Sequence, residues 1–262
     1  LNTTEQICAT YHGNGTDIWL MAHEYGTSNF LAYLVTSAGI SETPVVSNVG
    51  PAHAPCDANI NARGEIKFSP DGNKLAMSAN GIGTDDATNM LTLCNFDKNT
   101  GQVSNPINLP FSRGEFGLSF SPDNSKLYGA TWKAFQFTMQ DYNYLYQFDL
   151  SSGVPSTIIN SKVIIDSVIA YPTSHYGTLK IGPNGKIYVR YVNSSYLGVI
   201  NFPNQVGISC NYDKNGLHLG GQQNYQYGLN NYIEYTNYCG VAGLDEQEAL
   251  ARITVFPNPV ST

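Results

Sequence analysis

Charge is scarce in this sequence. Asp, Glu, Lys and Arg make up 13% of the chain, about half the ~25% of an ordinary soluble domain. Long solvated helices need Glu, Lys and Arg along their wet face, so a helical architecture is disfavoured from the start. Basic residues are the scarcer sign, 13 against 20 acidic, for a net charge of −7. No basic cluster occurs, which argues against a phosphate-tracking nucleic-acid surface and against an anionic membrane surface. Long apolar runs are missing too. The longest, such as Phe30 to Val35, fall far short of a bilayer span, so no membrane insertion is expected. A signal peptide is absent and the first residue is Leu1, so a processed or partial chain is expected. The five cysteines, Cys8, Cys56, Cys94, Cys210 and Cys239, form no C-x-x-C pair, which removes zinc ribbons and thioredoxin-type sites. Two disulfides with one thiol left over, or isolated buried thiols, both fit the count. Neither a Gly-x-Ser-x-Gly elbow nor a P-loop is encoded, and no carboxylate pair stands out, so no cofactor is expected.

What is present is polarity without charge: Asn, Ser, Thr, Gly and 18 Tyr, with a 42% hydrophobic share that is ample for a core. This composition suits β-sheet with many turns and is common outside the cell. Three segments repeat one another: Glu65 to Met77, Gly117 to Tyr128 and Thr178 to Val189. Each is a short apolar strand, a turn (Ser69-Pro70-Asp71-Gly72, Ser121-Pro122-Asp123-Asn124, Gly182-Pro183-Asn184-Gly185), then a Lys and a second apolar strand. Pro fixes φ near −65° at the first corner, and Gly or Asn accepts the left-handed conformation that follows, which is a hairpin signal. Third strands recur at Met90–Asp97, Tyr144–Leu150 and Tyr196–Asn201, each leaving through a polar turn. A degenerate earlier copy spans Ile7 to Val49.

A unit of about 50–60 residues with roughly four strands is the sequence signature of propeller blades. The expected fold class is therefore all-β, a β-propeller with four-stranded antiparallel blades at 5–50, 64–110, 114–166 and 176–220. One closing strand follows at Leu229–Tyr235. Because propellers close by sharing a blade between the chain ends, upstream blades are expected to be missing from a full set of seven. The alternative is a small closure in which Ile7–Tyr11 pairs with the tail strand. The domain reading is blades over 1–240, a charged linker over 241–252, and the truncated start of another module over 253–262.

That last segment, Ile253 to Thr262, carries Phe256-Pro257-Asn258-Pro259. It resembles the opening of the type A C-terminal sorting domain of the type IX secretion system of Bacteroidota, in which a short strand enters an aromatic-Pro-Asn-Pro turn. A second resemblance runs from about Thr16 to Tyr235, to the propeller region of large secreted or cell-surface proteins of gliding-type Bacteroidota. It rests on Trp19 to Glu24, Phe30 to Thr36, Pro44 to Gly50, Tyr196 to Asn201 and Gly228 to Ile233. The family usually has Pro where this chain has Asn230. The resemblance implies export through the periplasm, display at the outer surface or release, and the type IX machinery as a partner of the tail. Asp166-Ser167-Val168 also resembles the acidic-hydroxyl-aliphatic pattern of O-glycan acceptors in these bacteria, making Ser167 a candidate acceptor.

Other candidates carry chemistry in principle. His23-Glu24 is half of a zinc-protease motif, but Thr27 stands where further helical ligands would be sought, and neighbours on a strand point to opposite faces. His53, Cys56 and Asp57 share a Pro-rich loop in which a thiolate–imidazole pair could form. Asp85 and Asp86 offer hard oxygens on a loop without EF-hand spacing, and Gly81-Ile82-Gly83 lacks the third Gly of a dinucleotide fingerprint. Trp132, Phe135, Phe137, Tyr142, Tyr144 and Tyr146 crowd one hairpin, either as a sugar-stacking face or as packing between blades. None of these outweighs its structural explanation, so no catalytic, metal or cofactor-binding residue is assigned. The functional expectation is a non-catalytic binding or display module, with a surface glycan or protein as ligand. A glycan-directed enzyme with acids from separate blades, a carbohydrate-binding propeller, and a passive cargo or stalk segment are the alternatives.

Overall fold

A computed structural model describes residues 2–53, 62–79, 90–110, 115–131, 142–169, 175–192, 194–220 and 229. It is nearly all β. Blade 1 comprises β1 (Thr3–Tyr11), β2 (Ile18–Glu24), β3 (Asn29–Thr36), β4 (Gly39–Ile40) and β5 (Val45–Asn48). Blade 2 holds β6 (Ile66–Phe68), β7 (Lys74–Ala79), β8 (Met90–Asp97) and β9 (Gln102–Leu109). Blade 3 holds β10 (Glu115–Phe120), β11 (Lys126–Thr131), β12 (Tyr142–Asp149) and β13 (Val163–Ile169). Blade 4 holds β14 (Tyr176–Ile181), β15 (Ile187–Tyr191), β16 (Tyr196–Ile200) and β17 (Tyr212–His218). Every sheet is an antiparallel meander in chain order; in blade 1, β4 and β5 divide the outer edge of β3 between them.

The turn chemistry explains the hairpins. In each repeat the first residue and the Lys after the turn bond to each other through the backbone: Ser69 N–H to Lys74 C=O at 2.9 Å, Ser121 to Lys126 at 2.9 Å, Gly182 to Lys186 at 2.8 Å. The fourth turn residue closes back on the first and takes a positive φ: Gly72 at 74°, Asn124 at 64°, Gly185 at 72°. That is a type I turn followed by a left-handed residue, which only Gly or Asn adopts cheaply. Ser69 and Ser121 each donate to the turn Asp at 2.6 Å. The repeated Lys then reaches the end of the third strand: Lys74 to Asn95, Lys126 to Asp149 and Lys186 to Asn201.

The core lies between blades. One cluster joins Trp19, Met21 and Phe30 of blade 1 to Ile66, Phe68 and Phe96 of blade 2. A second joins Leu91, Leu93 and Leu109 to Leu118, Phe120 and Phe148 of blade 3. The third joins Tyr128, Ala130 and Leu145 to Leu179, Ile187 and Val189 of blade 4. Inner strands stand side by side, β1 by β6, β6 by β10, β10 by β14. The sheets therefore stack in series around their inner strands, as propeller blades do, and do not face one another as the two layers of a sandwich.

The two faces of a blade differ. The face toward the preceding blade is apolar: Ile66, Phe68, Leu75 and Met77 in blade 2, Leu118, Phe120, Leu127 and Phe148 in blade 3. The face toward the following blade mixes small, polar and large apolar residues: Glu65, Lys67, Ala76, Ser78, Leu91 and Leu93, then Gly117, Ser119, Tyr128, Ala130, Leu145 and Gln147. One element is not visible in the strand pattern. The helix α1 (Pro155–Asn160) sits between β12 and β13, with Pro155 in its first turn and Ile158 buried in the second cluster. Six residues are too few to display a helical period.

Candidate functional site

Polar braces hold the blades in place near the centre. Glu65 accepts the Leu118 N–H of β10 at 2.6 Å and pairs with Lys67 at 3.4 Å. Lys67 in turn donates to the Leu179 carbonyl of β14. With Lys67 only 3% exposed, this ion pair costs desolvation and contributes position more than stability. Blade 2 thereby grips blades 3 and 4. A second brace joins blade 3 to the loop after β16. Gln147 donates to Tyr128 Oη and Gln205 C=O, both at 2.7 Å, and accepts the Gly207 N–H at 2.7 Å. Tyr128 donates to Pro203 C=O at 2.8 Å, and burial pushes its phenol well above the ordinary range. These groups are consumed by structure.

The outer half of blade 3 presents a different surface. Alternation along β12 puts Tyr142, Tyr144, Tyr146 and Phe148 on one face. Phe148 and Tyr146 are buried, Tyr144 is half-buried and Tyr142 is 41% exposed. The rings form a tilted file, 6.3 Å from Tyr142 to Tyr144 and 5.5 Å from Tyr144 to Tyr146, with interplanar angles of 32° and 31°. Across on β13, Ile169 opposes Tyr142, Ser167 opposes Tyr144 and Ile164 opposes Tyr146; all three are exposed. Lys162 lies over the Tyr146 ring at 4.3 Å and donates to Pro110 C=O of blade 2 at 3.0 Å. The result is a ledge of aromatic and aliphatic surface with a hydroxyl and a cation at its side. Its inner end is anchored in the core, so the exposed end is held in one geometry. Such a surface can stack on the apolar face of a ligand.

The packing reading holds for the inner rings, and the outer ring, Tyr142, meets solvent. Trp132, Phe135 and Phe137 lie outside the described residues. Ser167 is exposed on the outermost strand of its blade, while Asp166 turns inward to accept from the Tyr176 hydroxyl at 2.6 Å. His23 and Glu24 diverge as the strand dictates. Glu24 caps its own turn by accepting from Asn29 at 2.7 Å and Thr27 at 3.3 Å. His23 is buried, edge-on to Phe30 at 4.8 Å and tilted against His53 at 4.3 Å. Burial, helped by His53, holds the His23 imidazole down at about 3, so it is neutral at pH 7. No spacing rule predicts the His23–His53 contact, which joins a strand to a distant loop. Cys56, Asp57, Asp85, Asp86, Gly81-Ile82-Gly83, Cys239 and Phe256-Pro257-Asn258-Pro259 lie outside the described residues. Cys8, Cys94 and Cys210 are buried and outside any disulfide, and burial pushes Cys94 up to about 12. Among the described residues no three His, Cys, Asp or Glu side chains converge as metal ligands, and no helix is long and apolar enough to cross a membrane.

No family model matches the chain, and no curated protein matches it. Among solved structures, it is similar to Kuenenia stuttgartiensis hydrazine synthase, at 14% identity and a TM-score of 0.43 over 73% of this chain and 49% of that one. It is similar to the WD40 repeats of RRP9, at 12% identity and a TM-score of 0.43 over 78% of this chain and 49% of that one. The Dos1 propeller gives 7% identity and a TM-score of 0.43 over 82% of this chain and 45% of that one. The chain thus spans about half the length of the solved chains it matches. The propeller assignment itself rests on the sheet order and the inter-blade cores described above.

Proposed function

We infer that this chain is a binding and display module of an exported propeller protein, with the tyrosine ledge of blade 3 as its ligand-contacting surface. The observation that carries the reading is the ledge: Tyr142 exposed, Tyr144 behind it, and both fixed by rings buried in the core. Rigid scaffolds with exposed aromatics are suited to binding, because little ordering entropy is spent when the ligand arrives. The ligand class the ledge fits is a glycan, whose apolar ring faces stack on Tyr while its hydroxyls meet Ser167. The low charge and Asn/Ser/Thr-rich composition support an extracellular setting, and Phe256-Pro257-Asn258-Pro259 supports export by the type IX route.

One experiment tests both parts. A type IX-competent Bacteroidota host expressing the chain is labelled with a panel of fluorescent glycans and with antibody. Expressed within the longer protein that the sorting-domain resemblance implies, the chain is expected at the surface or in the medium, and deletion from Ile253 onward is expected to retain it in the periplasm. Tyr142→Ala is expected to weaken glycan labelling at least tenfold, about 1.4 kcal/mol and in the range of one lost stacking contact, with antibody labelling unchanged. Glycan labelling indifferent to Tyr142→Ala contradicts the binding site; export indifferent to the deletion contradicts the route; cleavage of the probe shifts the reading to an enzyme.

A further inference from the structure

Four Asn-Gly steps occur in the sequence: Asn14-Gly15, Asn80-Gly81, Asn184-Gly185 and Asn215-Gly216. Asparagine is chemically labile, most of all before glycine, which has no Cβ to shield its nitrogen from the side-chain carbonyl of the residue before it. Asn80-Gly81 lies outside the described residues. The other three asparagines are all exposed, so access to water does not separate them. Their hydrogen bonds do. Asn14 Oδ1 accepts the Thr16 and Asp17 N–H groups, both at 3.1 Å, and its Nδ2 donates to Asp17 at 2.7 Å. The Gly15 N–H is held by the His12 carbonyl at 2.9 Å. Asn184 is tied in the same manner. Its Oδ1 accepts the Lys186 N–H at 3.2 Å, its Nδ2 donates to Tyr188 Oη at 3.0 Å, and the Gly185 N–H bonds the Gly182 carbonyl at 2.9 Å. In both turns the side-chain amide is already committed to its surroundings.

Asn215 differs. Among the described residues no group bonds its side-chain amide, while its own backbone N–H is held by Asp213 at 2.9 Å. The ladder is slack at the same place. Asp213 pairs with Val199 and Leu217 with Leu197, so Lys214, Asn215 and Gly216 stand against the single residue Gly198. Such a bulge leaves its extra residues outside the regular pairing. We propose that Asn215 modifies itself by deamidation, with water as the only co-reactant, while the fold protects Asn14 and Asn184. The Gly216 nitrogen attacks Asn215 Cγ and closes a succinimide ring. The Cγ–Nδ2 bond breaks, and ammonia leaves with the proton from the Gly216 N–H. Water then opens the ring. Opening at Cγ leaves aspartate and the original main chain. Opening at the main-chain carbonyl leaves isoaspartate, with the chain running through the side chain and longer by one carbon. Closing the ring requires the peptide after Asn215 to rotate until its nitrogen faces Cγ, a movement that ladder pairing resists and the bulge relieves. Either product makes the chain one unit more negative than −7, next to Lys214, whose Nζ lies over the Tyr191 ring at 4.6 Å.

Peptide mapping by tandem mass spectrometry tests this on the folded chain, aged in mildly alkaline buffer made with water enriched in the heavy oxygen isotope. The Asn215 peptide is expected to lose ammonia, gain one labelled oxygen and split into aspartate and isoaspartate forms. Its rate is expected to exceed those of the Asn14 and Asn184 peptides about tenfold or more, a barrier lower by at least ~1.4 kcal/mol. In urea the three rates are expected to converge, because the turns and the bulge are gone. Asn215→Gln, whose side chain would have to close a larger ring, is expected to stop modification there and leave the other two sites unchanged. Equal rates at the three sites in the folded chain overturn the proposal, as does a slower rate at Asn215. A lead for Asn215 that persists undiminished in urea comes from its neighbours in sequence and overturns it too. The assay reads no ligand, so its failure leaves the ledge reading untouched.

Discussion

His23 and His175 are both held neutral at pH 7 by burial, which lowers His23 to about 3, with His53 adding to the effect, and His175 to about 4. In the unfolded chain both titrate near 6.5. Between pH 6.5 and 4 the unfolded state therefore binds up to two more protons than the folded one, and stability falls as pH drops through that window. With both groups contributing, the slope reaches about 2.7 kcal/mol per pH unit. His23→Phe keeps the packing against Phe30 and is expected to halve that slope, read as the urea midpoint against pH. An unchanged slope would contradict the burial assignment. Below pH 4 carboxylates act in the same direction. Burial alone would raise Asp123, but hydrogen bonds from Ser121 and Ser125 and the Lys126 charge hold it below the ordinary value. Its contribution is present above about pH 4 and is lost as pH falls through that depressed value. None of this was visible in the sequence, where His23 stands only as half of an incomplete zinc-protease motif on a strand and His175 carries no motif at all.

Strands and hairpins were the legible elements, because their causes are local. Pro at the corner, Gly or Asn after it and alternation on each side fix the turns of blades 2, 3 and 4, and β1, β2, β3 and β5 emerge from the degenerate copy for the same reason. The repeated Lys was visible in the sequence, but its partner at the end of the third strand was not, since the two meet only after the meander folds. The close approach of β10 to β14 was hidden too. A Cβ on Gly117 would stand 2.2 Å from the Gly177 carbonyl oxygen and 2.7 Å from Leu179 Cδ1. The nearer neighbour is backbone and Leu179 is fully buried with no room to swing away, so the inner strands must separate to admit it. Gly117→Ala is expected to destabilise by about 1–3 kcal/mol, measured by chemical denaturation. A neutral result would mean that blades 3 and 4 are not packed at this spacing.

At the scale of the whole molecule, serial stacking explains why the site was only half legible. Period and composition point to blades and to a setting outside the cell. They cannot say which of six crowded aromatics reaches solvent, because that depends on where one blade stops covering the next. Along β12, Tyr146 belongs to the core shared with blade 2, Tyr144 packs against that core and Tyr142 is exposed. The Glu65 carboxylate, which accepts the Leu118 N–H of β10, is the most direct marker of the order in which the blades are braced. Amide hydrogen exchange on the parent chain and on Glu65→Ala measures it at one atom pair. Stacking of blade 2 on blade 3 predicts that exchange at the Leu118 amide accelerates more than tenfold in the variant, well beyond any change at the amides of β11 and β12. An equal rate at Leu118 in both proteins would mean that Glu65 does not reach β10, and the array would have to be redrawn.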